Sequence, residues 1–271
     1  MTKTASGASA LSVKKGEEGV AMTIARWVAL AGLFLVPLTP LIVSDNYFFP
    51  FITGKAFFFR IVVEVAFAGW VVLALADRRY RPRWSWISVA LTAFVAWMFI
   101  ADLFAVNPEK AFWSNFERME GWITLIHLLA LFVVSGAVLR VEKKWRAWWL
   151  VSLGVAAVVM LYSFLQIAGG LAIHQGSTRV DATLGNAAYL AVYMLFHVFV
   201  ALWLAFTTDK KWLRYVLLGF AILAAFVLFA TATRGTILGL AGGLLLAVLL
   251  MLFTMGKRAR GVAAGARVLL L

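Results

Sequence analysis

The chain has 271 residues, of which 64% are hydrophobic and 14% are charged, and its formal net charge is +13. Soluble domains carry about 25% charged residues, so this composition excludes an ordinary soluble protein with one large core. Because the chain contains no cysteine, disulfides and thiolate metal sites are excluded as well.

Residues 1–23 are small and polar and predict a disordered cytoplasmic tail. Apolar runs near 20 residues follow, each long enough to cross about 30 Å of hydrocarbon. They cover residues 24–43, 56–76, 84–104, 122–139, 148–168, 187–206, 215–231 and 236–253. The sequence therefore predicts an all-α polytopic transmembrane bundle of about eight spans over residues 24–254. Residues 255–271 are predicted as a basic cytoplasmic loop and the start of a further span, which indicates a fragment of a longer protein.

Loops rich in lysine and arginine alternate along the chain with loops that contain few basic residues. Of the 25 lysine and arginine residues, 19 lie in the N-terminal tail, in every second loop or in the C-terminal segment, and six lie in or near the remaining loops. Basic loops stay in the cytoplasm, so both ends are predicted to be cytoplasmic. The charge of +13 then marks topology, with anionic membrane lipid as its partner, and nucleic-acid binding is not expected.

The six basic residues on the predicted outer side are Lys55, Arg60, Lys110, Arg118, Arg179 and Arg234. All but Lys110 lie at or near the start of a helix predicted to run inward. Cations at helix N-termini favour a bound anion such as phosphate. A solvated loop charge is the alternative for each, and it is weakest for Arg234, which lies in the five-residue turn TATRG between two spans.

Other polar residues near the predicted outer side suggest local partners. Arg60 and Glu64 are four residues apart on the second span, so they share a face and can form an ion pair of structural or functional use. Arg118 is flanked by Glu117 and Glu120. Arg179 has a possible partner in Asp181, two residues further on.

A second group of residues has mainly structural interpretations. Asn186 is expected to cap the helix of the sixth span. His127 and His197 fall inside spans and are predicted to be buried hydrogen-bonding residues, whereas nothing in the sequence positions His174 in its outer loop. Gly235, Gly239 and Gly243 recur every four residues and predict a small-residue face for close helix packing.

Two pairs of segments carry a family resemblance. TRVDATLGNAAYLAVYMLF followed by TATRGTILGLAGGLLL resembles the O-antigen ligase family. PFITGKAFFFRIVVE and SNFERMEGWITL are similar to the second-span and R-x-x-G elements of that family. The matching segments spread over residues 50–250, and their order and spacing carry the resemblance. The chain departs from the family where Asn186-Ala187-Ala188 replaces Asn-Pro-Asn, and it does not include the family's large outer loop with a histidine.

The resemblance implies a glycosyltransferase of the bacterial cytoplasmic membrane. Such enzymes move a glycan from an undecaprenyl-diphosphate carrier to an acceptor, which is lipid A core, a protein or another glycan, and they need no metal or other cofactor. Arg179 and Arg234 would be the catalytic residues that clamp the diphosphate, and Arg118 would converge on the same cavity. The substrate-binding residues implied are Arg118, Arg60, Glu64, Asn186 and Glu120, with Glu117 as another candidate for orienting the acceptor.

Two other classes of function stay open at this point. A transporter of an anion or of a polyprenyl-linked glycan would use the same arginines to bind its substrate without chemistry. Broken spans near the midplane would favour that alternative. A non-catalytic membrane scaffold is the third possibility.

Overall fold

The computed structural model describes residues 4–83, 85–115, 119–174 and 178–254. In these residues the regular structure is helical, and no strand occurs among them. The helices in chain order are α1 (Thr4–Leu35), α2 (Thr53–Ala76), α3 (Trp86–Leu103), α4 (Pro108–Trp113), α5 (Trp122–Val138), α6 (Glu142–Ile167), α7 (Ala187–Thr207), α8 (Lys211–Ala230) and α9 (Arg234–Thr254). Short 3₁₀ helices cover Val36–Leu41, Arg78–Tyr80 and Ala182–Leu184. The predicted all-α polytopic class is confirmed.

Within the described part of the chain, seven helical segments are long and apolar enough to cross a membrane. They are Gly19–Leu41, Thr53–Ala76, Trp86–Leu103, Glu142–Ile167, Ala187–Thr207, Lys211–Ala230 and Arg234–Phe253. Helix α5, the predicted fourth span, has 17 residues and is therefore about 25 Å long, close to the lower limit for a span. The chain is a multi-pass membrane protein.

The sequence made a separate prediction for each terminal segment of the chain. Helix α1 begins at Thr4, within residues 1–23, for which the sequence predicts a disordered cytoplasmic tail. Alanine, leucine, lysine and glutamate in this stretch are good helix formers, and no proline interrupts it. Residues 255–271, predicted as a basic loop and the start of another span, lie outside the described residues.

Large apolar side chains cover much of the helical surface. Leu75, Trp97, Ile222 and Leu238 are each at least two-thirds exposed on membrane-length helices. In water such a surface would drive association, whereas lipid tails are as apolar as these side chains. The exposed positions are therefore the natural lipid contacts of the bundle.

Local sequence signals set several helix ends. Pro37 and Pro40 lack a backbone N–H, and the chain changes there from α-helix to the 3₁₀ helix Val36–Leu41. Ser85 and Ser88 form a reciprocal capping box at the start of α3. Asn107 caps α4 by accepting a hydrogen bond from the backbone of Lys110.

The helices form two compact units, Met1–Val155 and Ala156–Leu271, whose boundary lies within α6. In the first unit α1 packs along α2, and α2 packs on α5. The buried cluster consists of Ala25, Ala29, Leu33, Ala66, Trp70, Leu73, Val134, Ala137, Val138 and Leu139. Indole N–H groups tie these helices to neighbouring backbone, since Trp148 donates to the Leu33 carbonyl at 2.8 Å and Trp70 to that of Tyr80 at 2.9 Å.

Small residues let α1 and α2 approach closely. A Cβ added at Gly69 would lie 2.8 Å from the carbonyl oxygen of Ala25 and 2.9 Å from the backbone nitrogen of Ala29. Because backbone atoms cannot move aside as a side chain can, we expect Gly69→Ala to separate the two helices. The expected loss is about 1–3 kcal/mol in the free energy of unfolding, measured by denaturant titration in detergent micelles.

Gly136→Ala is the matched control for this substitution. Gly136 lies in α5 of the same unit, and a Cβ there would have nothing within 4 Å. Alanine is the better helix former by roughly 0.5–1 kcal/mol, so this variant should be as stable as the parent or slightly more stable. Equal stability of the Gly69 and Gly136 variants would show that the close approach of α1 and α2 does not limit stability.

In the second unit α7 packs extensively on α8, and α9 packs on both helices. The α7 side of this core is formed by Leu190, Ala191, Met194, Val198, Ala201, Leu204 and Ala205. Gly239 and Gly243 of α9 face Leu195 and Phe199 of α7, whereas Gly235 faces open space. Two of the three glycines predicted to form a packing face therefore contact α7.

Candidate functional site

A buried carboxylate organises the loop between α6 and α7. The side chain of Asp181 has no exposed surface. One oxygen, Oδ1, accepts hydrogen bonds from Nε2 of Gln166 at 2.7 Å and from Nδ1 of His174 at 3.2 Å. The other, Oδ2, accepts from the backbone N–H of His174 at 2.9 Å. Asp181 therefore positions His174, a relation that the sequence analysis missed because the residues are seven apart in an irregular loop.

Gln166, in the last turn of α6, supplies the other half of this network. Its Oε1 accepts from the backbone N–H groups of Asp181 at 3.2 Å and Ala182 at 2.9 Å. Its Nε2 also donates to the Ala172 carbonyl at 2.8 Å. Both ends of the amide are used, so the loop is bonded back onto α6.

Arg179 links the same loop to the turn between α8 and α9. Its Nε donates to the carbonyl oxygen of Thr231 at 2.7 Å, and its Nη2 donates to Oγ1 of Thr233 at 2.9 Å. The sequence offered Asp181 as a partner for Arg179. The hydrogen bonds described here lead elsewhere, from Arg179 to the Thr231–Thr233 turn and from Asp181 to Gln166 and His174.

Arg234 is the first residue of α9, as the sequence predicted, and it is exposed. The turn before it is held by Thr231, which donates to the Leu228 carbonyl at 2.6 Å, and by Thr236, which donates to the Thr233 carbonyl at 2.8 Å. Since Arg179 bonds to Thr233, the residue that precedes Arg234, the structure brings both arginines to one turn. An anion at this turn would meet two cations and the N-terminal end of a 21-residue helix.

Asn186 caps α7, and this prediction is confirmed. Its side-chain oxygen accepts from the backbone N–H of Ala188 at 2.8 Å and of Tyr189 at 3.4 Å. Gly185 before it adopts a left-handed conformation with φ of 63°, which favours glycine. The oxygen of Asn186 is thus occupied by the cap, so any contact with a substrate would come from its NH₂ group.

In the first unit, Arg60 is buried with 7% of its surface exposed. Its Nη2 donates to the carbonyl oxygen of Met119 and to Oγ1 of Thr124, the latter at 3.1 Å. Arg60 therefore fastens α2 to the chain just before α5 and to its first turn. The predicted Arg60–Glu64 ion pair is not the arrangement found, because tertiary partners replace the local one.

Glu64 instead pairs with His127 of α5, with 3.0 Å between Oε1 and Nε2. The other ring nitrogen of His127 lies 2.6 Å from the Ile123 carbonyl. His127 is buried and hydrogen-bonded, as the sequence predicted, and so is His197, whose Nδ1 lies 2.7 Å from the Tyr193 carbonyl. The Glu64 partner was missed because 63 residues separate the two side chains.

The segment before α5 contains the remaining predicted residues. Glu120 is exposed. Arg118 and Glu117 lie outside the described residues. The convergence of Arg118 with the other arginines therefore stays a prediction. Gly121 packs so closely that a Cβ there would clash with the Phe112 carbonyl oxygen, which explains glycine at the end of the R-x-x-G element.

The described residues contain no group of three or more histidine, aspartate or glutamate side chains that could hold a metal ion. Searches with this chain find no matching family model, no matching curated protein and no matching solved structure. The functional argument therefore starts from the two arginines at one turn and from the Glu64–His127 pair.

Proposed function

We propose that the protein is a membrane glycosyltransferase of the O-antigen ligase type. It would transfer a glycan from an undecaprenyl-diphosphate carrier to lipid A core, a protein or another glycan in the envelope of a bacterial cell. The observation that carries this proposal is the arrangement at the α8–α9 turn, where Arg179 is bonded to Thr231 and Thr233 beside the exposed Arg234. The resemblance of these segments to the ligase family agrees with it.

The chemistry needs cations at one place. The acceptor hydroxyl forms a bond to the anomeric carbon of the glycan, while the bond from that carbon to the diphosphate oxygen breaks. The electron pair stays on the leaving diphosphate, and the hydroxyl proton passes to a base. Negative charge grows on the diphosphate in the transition state, so prepositioned arginines lower the barrier.

The two arginines would contribute in different ways. Arg234 is exposed at the start of α9, and its planar guanidinium can bind two phosphate oxygens at once. Arg179 uses Nε and Nη2 to hold the turn, so it fixes the position of Arg234 and adds positive charge. We therefore assign the direct contact with phosphate to Arg234. The main role of Arg179 is to position the turn that precedes Arg234.

The other predicted site residues keep secondary roles in this proposal. Arg60 shapes the chain before α5 through Met119 and Thr124. Glu120 is exposed and would orient an acceptor, and Asn186 would contact substrate through its NH₂ group. Arg118 remains a predicted second phosphate ligand. The active side would be the outer face of the cytoplasmic membrane, with both chain ends in the cytoplasm.

A specific observation favours a second candidate, a transporter of an anionic or polyprenyl-linked glycan. The Glu64–His127 pair lies inside membrane-length helix α2 and against α5. Ionisable pairs within spans often mark the path of an ion or a substrate. In that case the arginines would bind the substrate and leave its diphosphate bond intact.

The two candidates are separated by following the diphosphate bond. The purified protein in nanodiscs is mixed with undecaprenyl-diphosphate-linked oligosaccharide and lipid A core, in the presence of EDTA. If the protein is a transferase, we expect free undecaprenyl diphosphate to appear together with glycosylated acceptor. In sealed vesicles, movement of intact donor across the bilayer without release of undecaprenyl diphosphate would support the transporter and contradict the transferase.

A further inference from the structure

The pairing of His127 fixes the positions of its protons. Nδ1 of His127 lies 2.6 Å from the carbonyl oxygen of Ile123, and Nε2 lies 3.0 Å from Oε1 of Glu64. A carbonyl oxygen can only accept a hydrogen bond, so Nδ1 must carry a hydrogen and donate it. Nε2 is then the ring atom whose protonation depends on Glu64.

A hydrogen bond between Nε2 and Oε1 requires one shared proton. With that proton the pair is neutral in total, either as imidazolium and carboxylate or as imidazole and carboxylic acid. Without it the pair carries one negative charge, and two lone pairs face each other at 3.0 Å. Proton uptake therefore forms the hydrogen bond between Glu64 of α2 and His127 of α5, and proton release breaks it.

Glu64, one of the two residues that share the proton, lies near the middle of a membrane-length helix. Glu64 follows Thr53 by 11 residues and precedes Ala76 by 12, so it lies at the middle of α2, about 17 Å from either end. An ionisable group at this depth is costly unless it is paired or functional. The hydrogen bond between Glu64 and His127 provides such a partner.

The pair lies on the wall of a cavity of about 570 Å³ formed by α2, α3 and α5. Phe67, Trp70 and Thr92 contribute to the other walls, and among the residues that line it Glu64 and His127 are the titratable ones. The Glu64 side chain is 66% exposed and that of His127 is 10% exposed. Glu64 is therefore the more accessible member of the pair from this cavity.

Arg60 is an alternative partner for Glu64. It precedes Glu64 by about one helical turn, on the same face, and the two charges interact electrostatically. Arg60 now donates to the Met119 carbonyl and to Thr124. Once the shared proton is lost, the negative pair attracts Arg60 away from these two acceptors at the start of α5.

We infer that Glu64 and His127 form a binding site for one proton within the membrane, and that its occupancy decides whether Glu64 pairs with His127 or with Arg60. On uptake a hydronium ion gives up the proton and becomes water, and on release the proton returns to water. The inference uses none of the residues at the α8–α9 turn and does not depend on the proposed transferase activity.

The chain has three histidines, so selective labelling gives a simple spectrum. Protein with ¹⁵N-histidine and ¹³C-carboxyl glutamate is placed in nanodiscs and titrated by NMR, with His127→Gln and Glu64→Gln spectra used for assignment. We expect Nδ1 of His127 to stay protonated at every pH, and Nε2 to change in the same transition as the Glu64 carboxyl. In Glu64→Gln this Nε2 transition should move by more than about one pH unit, a tenfold change in proton affinity.

Glu109→Gln, which alters an exposed carboxylate of the same unit, should leave the transition unchanged. A His127 ring with its hydrogen on Nε2 and none on Nδ1 would overturn the inference. Separate transitions for Nε2 and the Glu64 carboxyl would do so too, as would a transition unaffected by Glu64→Gln. If Glu64→Gln does not fold, the shared transition in the unaltered protein decides. Absence of any transition would show a fixed hydrogen bond and refute the exchange of partners.

Discussion

Replacing Arg234 with lysine is expected to lower the rate of glycan transfer by about 10²–10³-fold, the usual effect of losing one transition-state contact. Lysine keeps the positive charge but cannot bind two phosphate oxygens with a planar fork. Arg234 is exposed at the first position of α9, so the substitution should leave the fold intact. The measurement is the rate at which undecaprenyl diphosphate is released, at equal amounts of protein in the membrane.

Arg78→Lys is the control for this prediction. Arg78 is an exposed arginine in a loop predicted to be cytoplasmic, so the same chemical change there should leave transfer unchanged. Transfer by the Arg234 variant at the parental rate would reduce Arg234 to a loop charge. A loss of the same size in both variants would point to a general effect of arginine content.

The second large effect is expected from Asp181→Ala. This side chain has no exposed surface and accepts bonds from Gln166 and His174. Removing the carboxylate leaves the amide of buried Gln166 without this acceptor and frees the loop at His174. We expect a loss of about 1–3 kcal/mol in the free energy of unfolding for each donor left buried without a partner.

Denaturant titration in micelles measures this loss, with Asp209→Ala as the control. Asp209 is exposed in the segment between α7 and α8, so its removal should change stability by less than about 0.5 kcal/mol. If the two variants are equally stable, the network around Asp181 does not support the loop. Asp181→Asn should fall between them, because an amide oxygen still accepts hydrogen bonds but carries no charge.

The fold could largely be predicted from the sequence because the apolar runs are long and their helix signals are local. Asn186 caps α7 and Arg234 begins α9 at the places where the sequence indicated them. Helix boundaries differ by only a few residues from the apolar runs, except at α1. There the polar residues before Gly19 are helical although they lack the hydrophobicity of a span.

The candidate site was less predictable because its contacts join distant segments. The four-residue spacing favoured an Arg60–Glu64 pair, but Met119, Thr124 and His127 lie about 60 residues away in the chain and provide the partners instead. Asp181 was an obvious partner for Arg179 by proximity, yet its described bonds hold His174 and Gln166. Only tertiary packing decides between such alternatives.

The bond from Arg179 to Thr231 also constrains how the protein is made. These residues are 52 apart, so the ribosome completes Arg179 well before its acceptor exists. At synthesis rates of about 5–20 residues per second, the delay is on the order of 3–10 seconds. During this interval α7 and α8 are synthesised, while Gln166 is already present to bond with Asp181. We therefore expect the loop to be tethered to α6 first, since the acceptor of Arg179 becomes available only after the following pair of helices has been translated.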